Sequence, residues 1–285
     1  MQLKESDIDN ISTGLNIEEV LTENRIDTSI EIEKPPTILS IRQIKTTEKK
    51  NRIFTLGNFS CIIGKMKAKK TFFISLLTSS VIKGSDYNNN FIGELPENKK
   101  RVVYIDTEQS DYDSYNCIRR IEKMAENKDN FIAFNLRKFS PRERCEIIEF
   151  IFNKYQDTIG LVIIDGIADL VMAINDEVEA TKVTTMLLKY SGQYNCHIST
   201  VIHQNKMNDF ATGHIGSAVM KKAEIIISVI KCKSDFNSSD VNCDFSRGQG
   251  FEPFVMTIND YGFPYVNSNI KATEKVNYYE EENPF

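Results

Sequence analysis

The stretch that decides the fold is FSCIIGKMKAKKTFFISLL, residues 59–77, in which one apolar run ends at Gly64 and another begins after Thr71. The connection between the two runs carries four lysines within six residues. Two apolar runs joined by a short turn that opens on glycine predict a buried strand, a loop and a helix. The spacing follows the phosphate-loop pattern G-x-x-x-x-G-K-[ST], except that Lys69 precedes Lys70 where the second glycine belongs.

A phosphate loop binds phosphate oxygens through its backbone N–H groups and the N-terminus of the following helix. This pattern makes Lys70 the phosphate lysine and Thr71 the Mg²⁺ residue. Lys69 leaves two alternatives: a nucleotide-binding loop with one unusual residue, or a basic surface turn. We expect a lysine to fit if its φ stays negative, and a strain of about 1–3 kcal/mol if its φ is positive. The predicted loop contacts to a nucleotide are Gly64, Lys65, Met66, Lys67, Ala68, Lys69, Lys70, Thr71 and Phe72.

The composition favours one large domain between two acidic ends. The chain has 285 residues, and 41% of them are hydrophobic, which is enough for a single α/β core. Residues 1–34 carry a net charge of −6 and residues 268–285 a net charge of −2, so residues 35–267 are slightly basic. We predict a loosely ordered N-terminal arm, a large central α/β domain and a C-terminal tail with these bounds. The overall net charge of −5 argues against a generally basic nucleic-acid coat protein.

The cysteines and the apolar runs indicate in which cellular compartment the protein works. None of the six cysteines forms a C-x-x-C pair, which favours a reducing environment. No apolar stretch approaches membrane-spanning length. We therefore expect a cytoplasmic protein without a membrane partner.

Apolar strand patterns alternate with helix patterns from residue 59 onward, which predicts a mainly parallel sheet with helices on both faces. The late run FEPFVMTI predicts a C-terminal antiparallel edge. Before residue 59, TILSIRQI and IFTL predict a small N-terminal β extension whose turn is the charged TTEKKN. The stretches GSDYNNNFIGELPENKK and SDFNSSDVN predict surface loops. Ser140, Pro141 and Glu143 form the sequence of a capping box at the start of a helix.

Two predicted strands end in carboxylates. IGLVIID ends at Asp165, which suits an aspartate that holds Mg²⁺ through water, or one that only caps the next helix. RVVYIDTEQS ends in Asp106 and Glu108, and a carboxylate beside a terminal phosphate can orient and deprotonate water. The alternative interpretation is a pair of loop carboxylates. The order of loop lysine, acidic strand end and aspartate strand end favours the functional interpretation.

A third predicted strand, CHISTVIHQNK, ends in His203, Gln204 and Asn205. Polar side chains at this point can sense a terminal phosphate and signal its presence to the loop that follows. A single histidine is more often structural, but three polar residues directly after an apolar strand favour a sensor.

Taken together, GKMKAKKT, YIDTEQ, LVIIDGIADL, VIHQNK and HIGSAVMKKAEIIISV resemble the RecA-like P-loop ATPases. The nearest resemblance is to the branch of RepA-type plasmid replicative helicases and AAA-family ATPases of mobile elements, over about residues 35–266. Members often carry GKPKxGKS where this chain has GKMKAKKT. The resemblance implies roles for six residues: Lys70 and Thr71 at phosphate and Mg²⁺, Glu108 as catalytic carboxylate, Asp165 beside Mg²⁺, and His203 with Gln204 as sensor.

The resemblance also implies a homo-oligomer, usually a hexameric ring, in which a basic residue of the neighbour completes each ATP site. Arg247 in FSRGQGF is our candidate for that residue, with Lys231 and Lys233 behind it. The pair Lys221-Lys222 is an alternative, and solvated loop charges are the plainer interpretation of all of them. Basic residues are sparse in residues 206–222, so single-stranded DNA as a partner is a weaker expectation than ATP and Mg²⁺ as cofactors.

The sequence therefore predicts a Mg-ATP-binding ATPase that serves DNA replication or mobilisation, as a helicase or helicase accessory with replication or mobilisation proteins as partners. The alternative is a non-hydrolysing nucleotide-binding regulator or scaffold with a degenerate phosphate loop, which Lys69 favours. A small-molecule P-loop kinase is disfavoured because its arginine-rich lid has no counterpart after VIHQNK. A purely structural α/β domain is the remaining alternative.

Overall fold

The computed structural model describes residues 16–43, 46–86, 90–205, 211–233 and 235–272. For residue 43 and residues 46–49 it describes the backbone only. The chain divides into two compact units, residues 1–34 and 35–285. Most of the predicted C-terminal tail lies outside the described residues. In the first unit, helix α1 (Ile17–Glu23) begins at Asn16, whose side chain accepts a hydrogen bond from the Glu19 N–H, and α1 buries none of its residues.

The described residues of the second unit form twelve strands. In chain order they are β1 (Thr37–Gln43), β2 (Thr46–Thr55), β3 (Phe59–Gly64), β4 (Phe91–Gly93), β5 (Arg101–Asp106), β6 (Phe131–Asn135), β7 (Ile159–Asp165), β8 (His197–His203), β9 (Ile225–Lys231), β10 (Ser238–Ser246), β11 (Phe254–Ile258) and β12 (Pro264–Val266). The large sheet has the order β12-β11-β10-β9-β3-β8-β7-β5-β6. The six neighbouring strands β9, β3, β8, β7, β5 and β6 are parallel to one another. Strand β10 pairs antiparallel with β9, β11 with β10, and β12 with β11. The predicted mainly parallel sheet with a C-terminal antiparallel edge is confirmed.

Helices cover both faces of the large sheet, as predicted. They are α2 (Lys70–Lys83), α3 (Asp111–Ala125), α4 (Pro141–Tyr155), α5 (Glu177–Gln193) and α6 (Gly213–Lys222), and short 3₁₀ turns cover Glu97–Lys99 and Ile167–Leu170. One apolar core joins α2 and α3 to the sheet and includes Phe73 and Ile121. The other joins α4, α5 and α6 to the opposite face and includes Phe152 and Leu187. Among the described residues, no helix is both long and apolar enough to cross a membrane.

The small N-terminal β extension is a three-stranded sheet of order β2-β1-β4, and two details of its prediction are wrong. The charged TTEKKN lies in strand β2, because backbone pairing with β1 does not depend on side-chain polarity and β2 is an edge strand. The predicted loop after α2 contains strand β4, which pairs antiparallel with β1 and inserts the fully buried Phe91 into the core.

The stretch SDFNSSDVN is also not simply a surface loop. Its second half forms the start of β10, which lies between β9 and β11. Residues 238–242 are buried although four of the five are polar. The Ser239 hydroxyl donates to the Ala68 carbonyl, and the Ser238 hydroxyl lies 2.7 Å from the Thr257 hydroxyl. Hydrogen bonds therefore satisfy the two serines, whereas the buried amide of Asn242 has no hydrogen-bond partner among the described residues.

The helix predicted from the capping-box sequence is present. The Ser140 side chain accepts from the Glu143 N–H, and the Glu143 carboxylate accepts from the Ser140 N–H at 2.8 Å. Pro141 occupies the first helical position, where its missing N–H costs nothing.

Candidate active site

The loop between β3 and α2 turns sharply at the C-terminal edge of the parallel strands. Gly64 permits this approach, because a Cβ atom on it would lie 2.5 Å from the Val229 carbonyl oxygen of β9. Lys67 and Lys69 both have left-handed backbones, with φ of 62° and 67°. The condition of a negative φ at Lys69 is thus not met, and the strain of about 1–3 kcal/mol expected for that case applies. No side chain of the described residues caps α2. In its first turn the N–H groups of Phe72 and Phe73 donate to the Lys69 carbonyl at 3.1 Å, so no side chain competes with a phosphate for the N-terminus of the helix.

Lys70 turns its side chain back over this loop. Its Nζ donates to the carbonyls of Gly64 and Lys65 at 2.8 and 3.2 Å, and lies 2.9 Å from Nδ1 of His203. Burial lowers the Lys70 pKa to about 8, and the charges of Asp165 and Glu108 oppose this shift. The ammonium group is therefore poorly solvated and needs anionic partners.

His203 links Lys70 to Glu108. Because the Lys70 ammonium can only donate, Nδ1 of His203 accepts and Nε2 carries the proton. That Nε2 lies 3.3 and 3.4 Å from the two carboxylate oxygens of Glu108. The hydrogen bond from His203 lowers the Glu108 pKa, so the carboxylate stays ionised. The sequence-predicted phosphate lysine, sensor histidine and catalytic carboxylate thus form one contiguous chain of polar contacts.

Asp165 and Thr71 meet beside that chain. The Thr71 hydroxyl donates to Asp165 Oδ2 at 3.3 Å, and the Tyr104 hydroxyl donates to the same oxygen at 2.8 Å. Burial raises the Asp165 pKa to about 6, although the hydrogen bond from Tyr104 opposes the rise. A buried carboxylate that is costly to ionise gains from a nearby cation.

Thr71 and Asp165 offer the oxygen ligands that Mg²⁺ prefers, and they fit an ion that also takes phosphate oxygens. The described residues contain no group of three or more His, Cys, Asp or Glu side chains placed to hold a metal. Magnesium in nucleotide sites uses one or two carboxylates together with substrate phosphates and water, so this small ligand set agrees with that use.

Hydrogen bonds with Asp106 and Arg144 fix the turn that carries Glu108. Asp106 accepts from the N–H groups of Glu108 and Gln109 at 3.0 and 2.9 Å, so this carboxylate shapes the turn. The Arg144 guanidinium, only 9% exposed, donates to the carbonyls of Thr107 and Asp169, and also to those of residues 136 and 137. A buried cation that joins these segments fixes the position of the Glu108 backbone.

A cleft of about 430 Å³ opens over these groups. Besides the predicted residues it is lined by Asp113, Asn116 and Arg120 of α3, which the sequence interpretation missed. Their spacing of three and four residues places them on one face of the helix, and this spacing was the available signal. The Arg120 guanidinium lies 4.0 Å from the centre of the Phe72 ring and donates to the Ser75 hydroxyl.

Five predicted site residues do not line this cleft: Gly64, Lys65 and Met66 at the start of the loop, together with Gln204 and Arg247. Gln204 is buried, and its backbone N–H donates to the Gly64 carbonyl at 3.1 Å. Arg247 lies near the N-terminal ends of the parallel strands, opposite the end that carries the cleft, since Ser246 pairs with Ile225 at the start of β9. Its guanidinium donates to the Lys222 carbonyl at 3.0 Å. Residues 206–210, the start of the loop that follows Asn205, lie outside the described residues.

Comparison with known proteins agrees with this geometry. A family model described as an AAA domain matches residues 46–209, more than half of the chain. The DNA repair and recombination protein RadB of Methanococcus maripaludis strain C5 is 37% identical over 98 residues, which are 33% of this chain and 42% of the relative. The match therefore spans less than half the length of that relative. The comparisons and the sheet order identify a RecA-like P-loop fold of the ATPase type.

Proposed function

The chain belongs to the AAA domain family, and from this premise we propose that it is a Mg-ATP-binding RecA-like ATPase that acts on DNA. One observation carries the proposal. Lys70, His203 and Glu108 follow one another within hydrogen-bond distance, and Thr71 with Asp165 lies beside Lys70 at the end of the same loop. A lysine that can bind phosphate, two oxygen ligands that can hold Mg²⁺ and a carboxylate that can activate water thus lie in one cleft.

The position of each residue supports a proposed role. Lys70 would exchange its carbonyl partners for phosphate oxygens, which neutralise a charge that burial makes costly. Thr71 and Asp165 would hold Mg²⁺, whose chemistry is to neutralise charge on the phosphate oxygens. Glu108, ionised at neutral pH, would orient the attacking water and accept its proton. His203 contacts both Lys70 and Glu108, so it would respond to a change at either group.

Binding and steady-state hydrolysis of Mg-ATP by the native chain, Lys70→Ala and Glu108→Gln test this proposal. We expect Lys70→Ala to lose binding, and Glu108→Gln to bind ATP while turnover falls by about 10²-fold or more. Asp111→Asn, an exposed carboxylate of the adjacent helix, is the matched control for the second variant. A native chain that binds no Mg-ATP, or a Glu108→Gln variant with full turnover, would refute the assignment.

A second candidate is a nucleotide-binding regulator or scaffold that does not hydrolyse ATP. The left-handed backbone of Lys69 favours it, because the second glycine of the motif normally permits this conformation at no cost. Tight ATP binding through Lys70 without release of phosphate, with or without single-stranded DNA, would support this candidate over the ATPase.

We also propose a homo-oligomer, with a hexameric ring as the expected form, in which Arg247 acts on the neighbouring site. The support is that Arg247 cannot serve its own cleft, since it lies beside the start of β9, at the opposite end of the parallel strands from the cleft. Arg247→Ala should therefore bind ATP but hydrolyse it slowly. Mixing it with Lys70→Ala should restore part of the turnover, because a mixed interface combines an intact cleft with an intact arginine. No recovery on mixing would argue against a shared site.

The RadB relative is a DNA repair and recombination protein, and this supports action on DNA. The resemblance to RepA-type ATPases supports a role in replication or mobilisation. Stimulation of hydrolysis by single-stranded DNA would support a motor or helicase. Unchanged hydrolysis over a range of DNA lengths at low salt, where phosphate contacts are strongest, would argue against one.

A further inference from the structure

The phosphate loop is tied to strand β10 at two adjacent points. Lys69 extends over the end of β9, and its Nζ donates to the Ser238 carbonyl at 3.4 Å. From the strand side, the fully buried Ser239 hydroxyl donates to the Ala68 carbonyl at 3.1 Å. Consecutive residues of the loop are therefore bound to consecutive residues of the strand.

These ties occur where the loop backbone needs support. A non-glycine residue in the left-handed region persists only when its surroundings hold it there, and Lys69 is such a residue. The backbone N–H groups on either side of Lys69 belong to the part of the loop that would surround a phosphate. A change in the φ of Lys69 would turn these N–H groups away from the cleft.

The electrostatic surroundings of Lys69 agree with an anchored side chain. Burial, and then repulsion from Lys231, lowers the Lys69 pKa, while Asp235 acts in the opposite direction. Asp235 in turn accepts hydrogen bonds from the Ser238 hydroxyl and the Asn237 N–H. The Lys69 side chain thus lies beside the hydrogen-bonded residues 235–238 that lead into β10, whereas Lys67 of the same loop is exposed.

We propose that Lys69 is a positioning residue that holds the phosphate loop in its nucleotide-binding conformation by anchoring it to β10, with Ser239 as the second anchor. The inference rests on the proposed nucleotide-binding function. It explains how a lysine can replace the second glycine of the motif, since the side chain supplies the support that its backbone conformation requires. It also makes ATP affinity depend on the β9–β10 turn.

The test is Mg-ATP affinity of the native chain and of Lys69→Met, Lys69→Arg and Ser239→Ala, measured with a fluorescent ATP analogue at two salt concentrations. We expect Lys69→Met and Ser239→Ala each to weaken binding about fivefold, as for the loss of one hydrogen bond. Lys69→Arg should keep most of the affinity because it retains a cationic donor. The double variant Lys69→Met/Ser239→Ala should lose less than the product of the single losses, because both anchors hold one loop.

Two controls separate anchoring from charge and from misfolding. Lys67→Met removes the same charge from the same loop at a similarly left-handed residue, and should weaken binding less than Lys69→Met. Ser246→Ala makes the serine change at the far end of β10 and should leave affinity unchanged. If Lys69→Met does not fold, as judged by circular dichroism, the Mg-ATP affinity of Ser239→Ala tests the anchoring inference by itself.

Equal losses for Lys67→Met and Lys69→Met, or native affinity in Ser239→Ala, would overturn the anchoring inference. Failure of the proposed function looks different, because the native chain would then bind no Mg-ATP. If the native chain binds and Lys70→Ala does not, the nucleotide site stands whatever the Lys69 variants show.

Discussion

The ionisation of buried Asp165 should cost folding stability at neutral pH, and Asp165→Asn should remove that cost. The side chain is almost fully buried, and burial raises its pKa from 3.8 to about 6. A difference of about 2 pK units corresponds to about 3 kcal/mol between the two ionisation states. Because the folded-state pKa is the higher one, the carboxyl group destabilises the fold increasingly as pH rises from its unfolded pKa through its folded pKa.

The free energy of unfolding of the native chain and of Asp165→Asn should therefore diverge with pH. Between about pH 4.5 and pH 8 the variant should gain about 2 kcal/mol relative to the native chain, and the difference should level off above about pH 7. Any constant effect of the amide on packing cancels in this comparison. Urea unfolding followed by circular dichroism suits the measurement, since the chain lacks tryptophan. EDTA keeps divalent cations from the carboxylate.

Asp157→Asn, which makes the same change at an exposed residue, is the matched control and should show no such divergence. A pH-independent difference between Asp165→Asn and the native chain would refute the reasoning. So would a variant that loses stability relative to the native chain as pH rises. Either result would mean that the carboxyl group ionises at least as easily in the fold as in the unfolded chain.

Three further changes have defined outcomes. Tyr104→Phe removes a hydrogen bond to Asp165, so urea unfolding should show a loss of about 1–2 kcal/mol above pH 7 and a smaller loss near pH 4.5. Arg144→Met leaves several buried carbonyls without their donor and should cost about 3 kcal/mol of unfolding free energy, whereas the exposed Arg142→Met should cost less than about 0.5. Ser140→Ala removes the capping box of α4 and should lower the free energy of unfolding by about 1 kcal/mol in the same assay.

The sequence was informative where short-range patterns determine structure. The apolar runs around Gly64 and Thr71 define a strand and a helix, and parallel strands place their polar carboxyl ends at one edge. Glu108, Asp165 and His203 could therefore be expected near Lys70 without any knowledge of side-chain contacts. The capping box at Ser140 is equally local.

The features that escaped prediction depend on long-range packing. Strand β10 has the composition of a loop, and its buried serines are stable only because the phosphate loop and β11 supply hydrogen-bond partners. Tyr104 acts from inside the apolar strand that begins the YIDTEQ motif, and Arg144 acts from a helix on the far face of the sheet. Their contacts with Asp165 and with the turn at Glu108 do not follow from any local pattern. The sign of φ at Lys69 depends on contacts with β10, more than 160 residues away in the chain.

The burial of Lys70 and Asp165 has a consequence for proton exchange. An anion bound beside Lys70 would raise its pKa from about 8 and draw a proton from the solvent, whereas a cation beside Asp165 would lower its pKa from about 6 and release one. Mg-ATP binding should thus take up protons near pH 8 and release them near pH 6. The binding heat measured by calorimetry would then vary with the ionisation enthalpy of the buffer, and the direction of that variation would reverse between the two pH values.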